Sequence, residues 1–363
     1  MGFTLPFFNG ASRKKRTQII SVDLGSRTTK AVLLERRGEV LALTRFALLD
    51  APIAEKKISA EQLADHLHAI TESLGSTTKY ISAAVGLADA VVRQVELPQI
   101  PLDEMRSILK MNHKNYLQQD LPNHTFDCYI IPPRPQIAEA KSSDPARGSM
   151  AATKFKVLVA AAKQQLVADF IHAAGTAGLV ADAMVPSLVG PINAFEQSLP
   201  DVYAKETVAL VDIGFKHTSV CVLDRGELAT IRTVNIGGDQ ITAGLAEAMN
   251  ISYAEAEGIK VGMAPEIESA LQMQVIPLGR EIRASLDFFE HQQDRPVTEV
   301  YLSGGSTRSE MIIQMLRSEL LAECKIWNPT SFLQLALPGQ QAVEIDHVGQ
   351  QLTVAIGTAL AVY

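Results

Sequence analysis

Two short stretches carry the residue types that bind phosphate and a divalent cation. In Ile19–Glu35 an apolar run (Ile19, Ile20, Ser21, Val22) reaches Asp23. Gly25, Ser26, Thr28, Thr29 and Lys30 follow before a second apolar run, Ala31–Leu34. In Thr207–Leu228 the run Val208–Val211 reaches Asp212, then Gly214, Thr218 and Ser219, then the run Val220–Leu223. Each reads as strand, tight turn, strand. A turn of glycine and hydroxyl residues can aim backbone N–H groups at a phosphate. Aspartate at the strand end suits Mg²⁺, which keeps several waters and takes one or two carboxylates. Aspartate also forms turns at strand ends without any metal.

The repetition strengthens the chemical reading. Both units end on a charged glycine turn, at Gly38 and Gly226, fifteen residues after Asp23 and fourteen after Asp212. Two matched units imply an internal duplication and a cleft between the halves. A third element, Val300–Met311, runs from a short apolar strand into Ser303-Gly304-Gly305-Ser306. Paired glycines let backbone approach a flat ligand closely, because no Cβ intervenes.

Two D-x-G turns followed by a strand and S-G-G-S resemble the nucleotide fold of actin, Hsp70 and the sugar kinases. Within it the chain resembles the PilM-type ATPase of type IV pilus assembly, a relative of the division protein FtsA. Pro98–Leu109 is similar to that family's proline-rich entry into an inserted subdomain, and Val157–Leu179 to its strand-plus-helix return. Ile236–Ile241 and Ala254–Lys260 resemble the stretch reaching ribose and base; Arg280–Glu290 resembles a characteristic helix. The resemblance covers nearly all of residues 17–363. It implies an α/β, duplicated actin-like (ribonuclease H-like) ATPase fold, two lobes around a nucleotide cleft, with a small inserted subdomain of FtsA/PilM type.

It also implies roles. ATP with Mg²⁺ is the expected ligand. Gly25, Ser26, Thr28 and Lys30 would form the first phosphate turn, and Gly214, Phe215, Lys216 and Thr218 the second. Asp23 and Asp212 are the candidates for holding Mg²⁺ through water. Gly238, Glu257 and Lys260 would flank ribose and adenine, and Gly304, Gly305 and Ser306 would floor the adenine site. Two readings of Lys216 stand, a point charge on a phosphate or a solvated turn lysine. Glu257 and Lys260, three apart on a helix, also suit a plain surface pair. The catalytic base is unknown. The inserted helix has Met111-Asn112-His113-Lys114-Asn115 where an acid is expected, and Val185-Pro186-Ser187 stands in place of an acidic D-x-E. These departures weaken the case for hydrolysis more than for binding.

The elements that position these residues read in order. The basic, aromatic stretch Met1–Arg16 suits a solvated tail or a peripheral contact with an anionic membrane surface. Residues 17–85 and 155–200 are expected to form the first lobe, residues 86–154 the inserted subdomain and residues 201–363 the second lobe, with a helical part at 241–299. Ser59–Leu74 reads as an amphipathic helix capped by Ser59 and Gln62, with His66 and His68 off its apolar stripe and solvated. Arg134–Thr153 has almost no bulky apolar residues and is expected to be a mobile loop. Leu352–Tyr363 reads as a closing apolar helix in which Gly357 allows close packing.

Composition bounds the rest. The 363 residues suffice for two to three domains, and 47% are hydrophobic. A net charge of −7 argues against nucleic acid as a partner. Three widely spaced cysteines offer no disulfide framework, and no apolar run is long enough to span a bilayer. These features fit a cytoplasmic protein. The resemblance implies a peripheral place at the inner membrane and a PilN-like single-pass inner-membrane protein as partner, bound through its cytoplasmic peptide between the inserted subdomain and the first lobe. An FtsA-like filament and a small-molecule kinase of the same superfold are the alternatives.

Overall fold

The turn at Gly25 folds two strands onto each other, and the whole first sheet grows from that hairpin. The computed structural model describes Thr4, Pro6, Phe7 and residues 16–53, 58–131, 154–262 and 265–363. Strands β1 (Gln18–Leu24), β2 (Thr28–Arg37) and β3 (Val40–Asp50) form an antiparallel meander. Helix α1 (Ala60–Leu74) then crosses to β4 (Tyr80–Val85), which lies parallel to β1. The expected capping box is present, with Ser59 and Gln62 exchanging side-chain and backbone hydrogen bonds. Leu67, Ile70 and Leu74 are buried.

The chain next leaves the sheet. β5 (Ala90–Pro98), α2 (Leu102–Leu117), β6 (His124–Ile130) and β7 (Lys154–Lys163) build a separate three-stranded sheet, ordered β5-β7-β6, with α2 packed on it. Its own small core includes Met105, Leu109, Cys128 and Val157. The loop expected at 134–153 lies outside the described residues, as does most of the stretch Met1–Arg16. Helix α3 (Gln164–Thr176) returns the chain to β8 (Val180–Pro186), the outer strand beside β4. Helices α4 (Val189–Ser198) and α5 (Pro200–Lys205) lead into the second half.

The second half repeats the first. β9 (Thr207–Ile213), β10 (Thr218–Asp224) and β11 (Glu227–Val234) form a second meander. Helices α6 (Gly238–Met249), α7 (Tyr253–Gly262) and α8 (Glu268–Gln293) follow, then β12 (Glu299–Ser303), parallel to β9. Helix α9 (Glu310–Leu320) connects to β13 (Glu323–Ile326). The strand order β11-β10-β9-β12-β13 therefore matches β3-β2-β1-β4-β8, with the same two antiparallel and two parallel pairings. A short strand β14 (Gln334–Leu335) adds to the outer edge of β3.

The halves share a core. After helix α10 (Gly339–Val348), α11 (Thr353–Leu360) runs across α4. Contact is so close that a Cβ on Gly357 would sit 1.8 Å from the Gly190 carbonyl oxygen. Asn193 donates its side-chain amide to the Gly357 carbonyl at 3.2 Å. Phe195 of α4 meets Tyr301 of β12 and Trp327 edge-on at 4.8 and 5.2 Å. No helix among the described residues is long and apolar enough to cross a membrane.

Candidate functional site

Between the two meanders lies a cleft of about 470 Å³. Each half sends its first hairpin turn, and the aspartate before it, into this space. Gly25 is required at the first turn, since a Cβ there would lie 2.5 Å from the Thr28 carbonyl oxygen. At the second turn a Cβ on Gly214 would lie 2.8 Å from the His217 carbonyl oxygen. The floor comes from β12. Gly304 has φ +96°, and a Cβ on it would fall 2.5 Å from the Ile213 carbonyl oxygen; glycine alone adopts this conformation readily. A single 3₁₀ turn, Gly305–Arg308, follows before α9.

The two aspartates have different surroundings. Asp23 stands opposite Lys30 in the β1–β2 pairing, and the ammonium donates to its carboxylate at 3.0 Å. Burial works against the Lys30 charge, but Asp23 more than offsets it, so the lysine pKa lies above its ordinary value. Asp212 has Ser219 opposite it on β10 and Ser303 beside it on β12. Ser303 donates its hydroxyl to Asp212 at 2.8 Å. Burial pushes the Asp212 carboxyl up to about 6; the Ser303 hydrogen bond opposes that rise and the nearby Asp23 charge adds to it.

A polar network lines one wall. Lys260, almost fully buried, donates to Glu257 at 2.6 Å and to Thr242 at 2.7 Å, and Thr242 donates to Glu257 at 2.7 Å. Burial lowers the Lys260 pKa despite its partner, and the Lys260 and Thr242 hydrogen bonds hold Glu257 low against its own burial. The pair is thus part of the cleft wall, not an exposed surface pair. Lys216 lines the cleft with its side chain 54% exposed and forms an ion pair with Asp239.

The cleft gathers Asp23, Gly25, Ser26, Thr28, Lys30, Asp212, Gly214, Phe215, Lys216, Gly238, Glu257, Lys260, Gly304, Gly305 and Ser306. Thr218 stands apart. It is fully buried, and its hydroxyl donates to the Ile236 carbonyl at 2.7 Å, away from the cleft. His113, in the stretch where an acid is expected, lies on α2, which packs on the small sheet, stacked on Phe126 at 5.4 Å and 3.4 Å from Asp120. It is not among the cleft residues.

Sequence reasoning passed over several residues that line the cleft. Arg27 reaches from the first turn to the second half, 3.5 Å from Glu257 and over the rings of Phe215 and Tyr253 at 5.4 and 5.9 Å. Asp50 ends β3 directly opposite Thr28 in register, a placement that strand counting could have found. His217, Arg308 and Gln351 also line the cleft. His66, expected to be solvated, is half-buried behind the first turn, 2.8 Å from the Thr29 hydroxyl. Helix α1 presents that face to β2, which the apolar stripe alone does not reveal.

The family model described as "Type IV pilus assembly protein PilM" matches residues 21–363. The chain belongs to the PilM family. Among solved structures it is similar to the "PilM-PilN type IV pilus biogenesis complex", with 21% identity, a TM-score of 0.79, and coverage of 97% of this chain and 99% of that one. It is also similar to MreB5 of Spiroplasma citri bound to AMPPNP, with 9% identity, a TM-score of 0.50 and 96% of each chain covered. Among curated relatives, the cell division protein FtsA of Bacillus subtilis is 21% identical over 93% of this chain and 78% of that protein. The fold is therefore the duplicated actin-like one, and the PilM family places the chain in type IV pilus assembly.

Proposed function

We propose that this PilM-family chain binds Mg-ATP in the cleft and acts as an actin-like scaffold at the cytoplasmic face of a type IV pilus machine. There it docks the cytoplasmic peptide of a PilN-type single-pass inner-membrane protein. The observation that carries the nucleotide reading is the convergence of two register-matched strand–turn–strand units on one glycine-floored cleft. The AMPPNP bound by MreB5, a protein of the same fold, supports it. The PilN partner in the similar PilM-PilN complex supports the docking reading.

The donor set fits Mg²⁺ that is held mainly by phosphates and water. No group of three or more acidic, histidine or cysteine side chains gathers as a metal site among the described residues. Asp23 and Asp212 are the two cleft carboxylates at the turns, a number that Mg²⁺ tolerates when phosphates complete its shell. A bound cation would stabilise Asp212 as the carboxylate and screen it from Asp23. Mg²⁺ in such a site draws charge from the phosphates. Asp23 is tied to Lys30 and Glu257 to Lys260. With these two carboxylates so engaged, and no acid in the Met111–Asn115 stretch, the chain is expected to hydrolyse ATP far more slowly than the roughly 1–100 s⁻¹ of kinases.

Calorimetry tests the binding: wild type should bind Mg-ATP, and Asp212→Ala should lose at least tenfold in affinity. Absence of binding by folded wild type would leave a nucleotide-free scaffold. For docking, crosslinks from the partner's tail are expected within residues 86–135. Crosslinks confined to residues 208–363 would move the partner to the second half.

A further inference from the structure

The junction between the large and small sheets is already occupied by this chain. Strand β8 is the outer strand of the first sheet and β6 the outer strand of the small one. Phe7 lies between them. Its N–H donates to the Met184 carbonyl of β8 at 2.9 Å, and its carbonyl accepts the Thr125 hydroxyl of β6 at 3.2 Å. Only 4% of Phe7 is exposed, and it belongs to the apolar cluster that includes Met184, Ile131 and Leu158. A second anchor lies further along β8. Arg16 pairs with Asp182 at 2.7 Å and stacks its guanidinium 3.7 Å above the Tyr80 ring. Two residues far from β8 in sequence, Phe7 and Arg16, thus engage it at Met184 and Asp182. Phe7 makes two contacts that a docked peptide residue makes at a sheet edge, a main-chain hydrogen bond and an apolar side chain buried in the core.

We propose that Phe7 is a built-in occupant of the peptide groove, and that the partner's peptide binds by displacing it. This rests on the docking reading above and adds its regulation. The Met184 carbonyl and the Phe7 pocket can serve one occupant at a time, so an incoming extended peptide needs an apolar anchor of its own where Phe7 now sits. Because Phe7 is covalently attached, it competes at a high effective concentration. The groove is then open for only a fraction of the time, and the partner's apparent affinity is reduced by that fraction.

Two titrations test this. In the first, a fluorescein-labelled peptide of residues 1–10 is titrated into the full chain and into a variant lacking residues 2–10, both checked by thermal melting. The variant should bind it at least about tenfold more tightly than the full chain, and a Phe7→Ala peptide should not bind. Equal binding to both proteins, or binding to neither, overturns the built-in occupant. In the second, the cytoplasmic tail of the membrane partner is titrated into wild type and the full-length Phe7→Ala variant. The variant should bind about tenfold more tightly. Equal affinity overturns the competition. A tail bound by neither protein, while the labelled peptide is still captured, overturns the docking reading and the competition with it, and leaves the intramolecular contact standing.

Discussion

The first and second turns share strand order and register but are held in place by different means. The first is braced by side chains. Lys30 pairs with Asp23 and His66 meets Thr29 from behind. The second is braced largely by backbone. The N–H groups of Gly238 and Asp239, at the start of α6, donate to the carbonyls of Gly214 and Phe215, each at 2.9 Å. The electrostatics differ in the same way. The residues beside Asp23 are Lys30 and Ala84; those beside Asp212 are Ser219 and Ser303. One half carries its own counter-charge, and the other leaves a half-buried carboxylate supported by a hydroxyl. The duplication preserved the backbone frame while the side chains diverged, so the cleft is two-fold in shape and one-sided in charge. A cation entering it gains most at Asp212.

The comparison breaks most sharply at the backbone wedge behind the second turn, where Gly237 caps α6. A Cβ on Gly237 would lie 2.4 Å from the Phe215 carbonyl oxygen and 2.7 Å from the Lys216 carbonyl carbon, both backbone atoms that cannot swing away. Gly237→Ala should destabilise the fold by about 3 kcal/mol, in the range of overpacked sites, and reduce nucleotide affinity about a hundredfold. At the first turn, Ser26→Ala on an exposed residue should stay within about 0.5 kcal/mol of wild type. Urea denaturation and calorimetry read both. Equal stabilities would show that the second turn does not depend on its backbone wedge.

Next in size is the charge difference. Asp212 has its pKa raised from 3.8 to about 6 in the folded chain. Between those values the folded state keeps a proton that the unfolded state has lost. Stability of the ligand-free protein should therefore fall as pH rises through that window, by up to roughly 3 kcal/mol, and level off above it. Asp212→Asn should flatten this profile and be the more stable protein near neutral pH. Mg-ATP affinity should run the other way, weakening by at most about tenfold per pH unit below 6, because the cation needs the carboxylate. Denaturant melts and titrations across pH 4–8 decide it; an unchanged slope in the Asn variant would assign the proton elsewhere.

Much of this was legible in the sequence, and the limits have physical causes. The D-x-G turns, the capping box of α1 and the close approach at Gly357 are local patterns, set by backbone geometry within a few residues. The order of the repeated meanders followed from them. What a single sequence hides is which distant residue faces each side chain. Thr28 and Thr218 belong to hydroxyl clusters of the same kind, yet Thr28 lines the cleft and Thr218 bonds to Ile236. His66 is polar and off the apolar stripe, so only the position of β2 shows that it is half-buried. β8 and β13 were missed because short parallel strands lack clean alternation. Phe7 lay in a stretch that composition marks as tail or membrane contact; its place in the core depends on β6 and β8, more than a hundred residues away.

The same pair of threonines sharpens the comparison at a smaller scale. Thr218→Val should cost roughly 1–3 kcal/mol of stability, because the part-buried Ile236 carbonyl loses its donor, and leave nucleotide affinity within about twofold. Thr28→Val should leave stability nearly unchanged and weaken Mg-ATP by several-fold. If the two variants gave the same pattern, the threonines would do the same job despite their different environments.

The smallest expected effect belongs to Arg27, which links the two halves across the cleft. Its guanidinium is 3.5 Å from Glu257, over Phe215 and Tyr253, and its side chain is 43% exposed. An exposed ion pair contributes about 0.2–1 kcal/mol, and a cation over an aromatic ring at such a site about 0.5–1 kcal/mol. Glu257 keeps Lys260 and Thr242 as partners when Arg27 is removed. Arg27→Ala should therefore lower stability by less than about 1 kcal/mol. Its effect should show in kinetics, because a link across the mouth must open before ligand leaves. A fluorescent ATP analogue should dissociate roughly threefold faster, with its association rate little changed, since this contact acts mainly on the off-rate. Glu257→Gln combined with Arg27→Ala should add little beyond Arg27→Ala in that dissociation rate, the mark of a shared contact. A hundredfold loss of affinity from Arg27→Ala alone would mean that Arg27 grips the phosphates directly, making the first turn the more strongly charged side of the site.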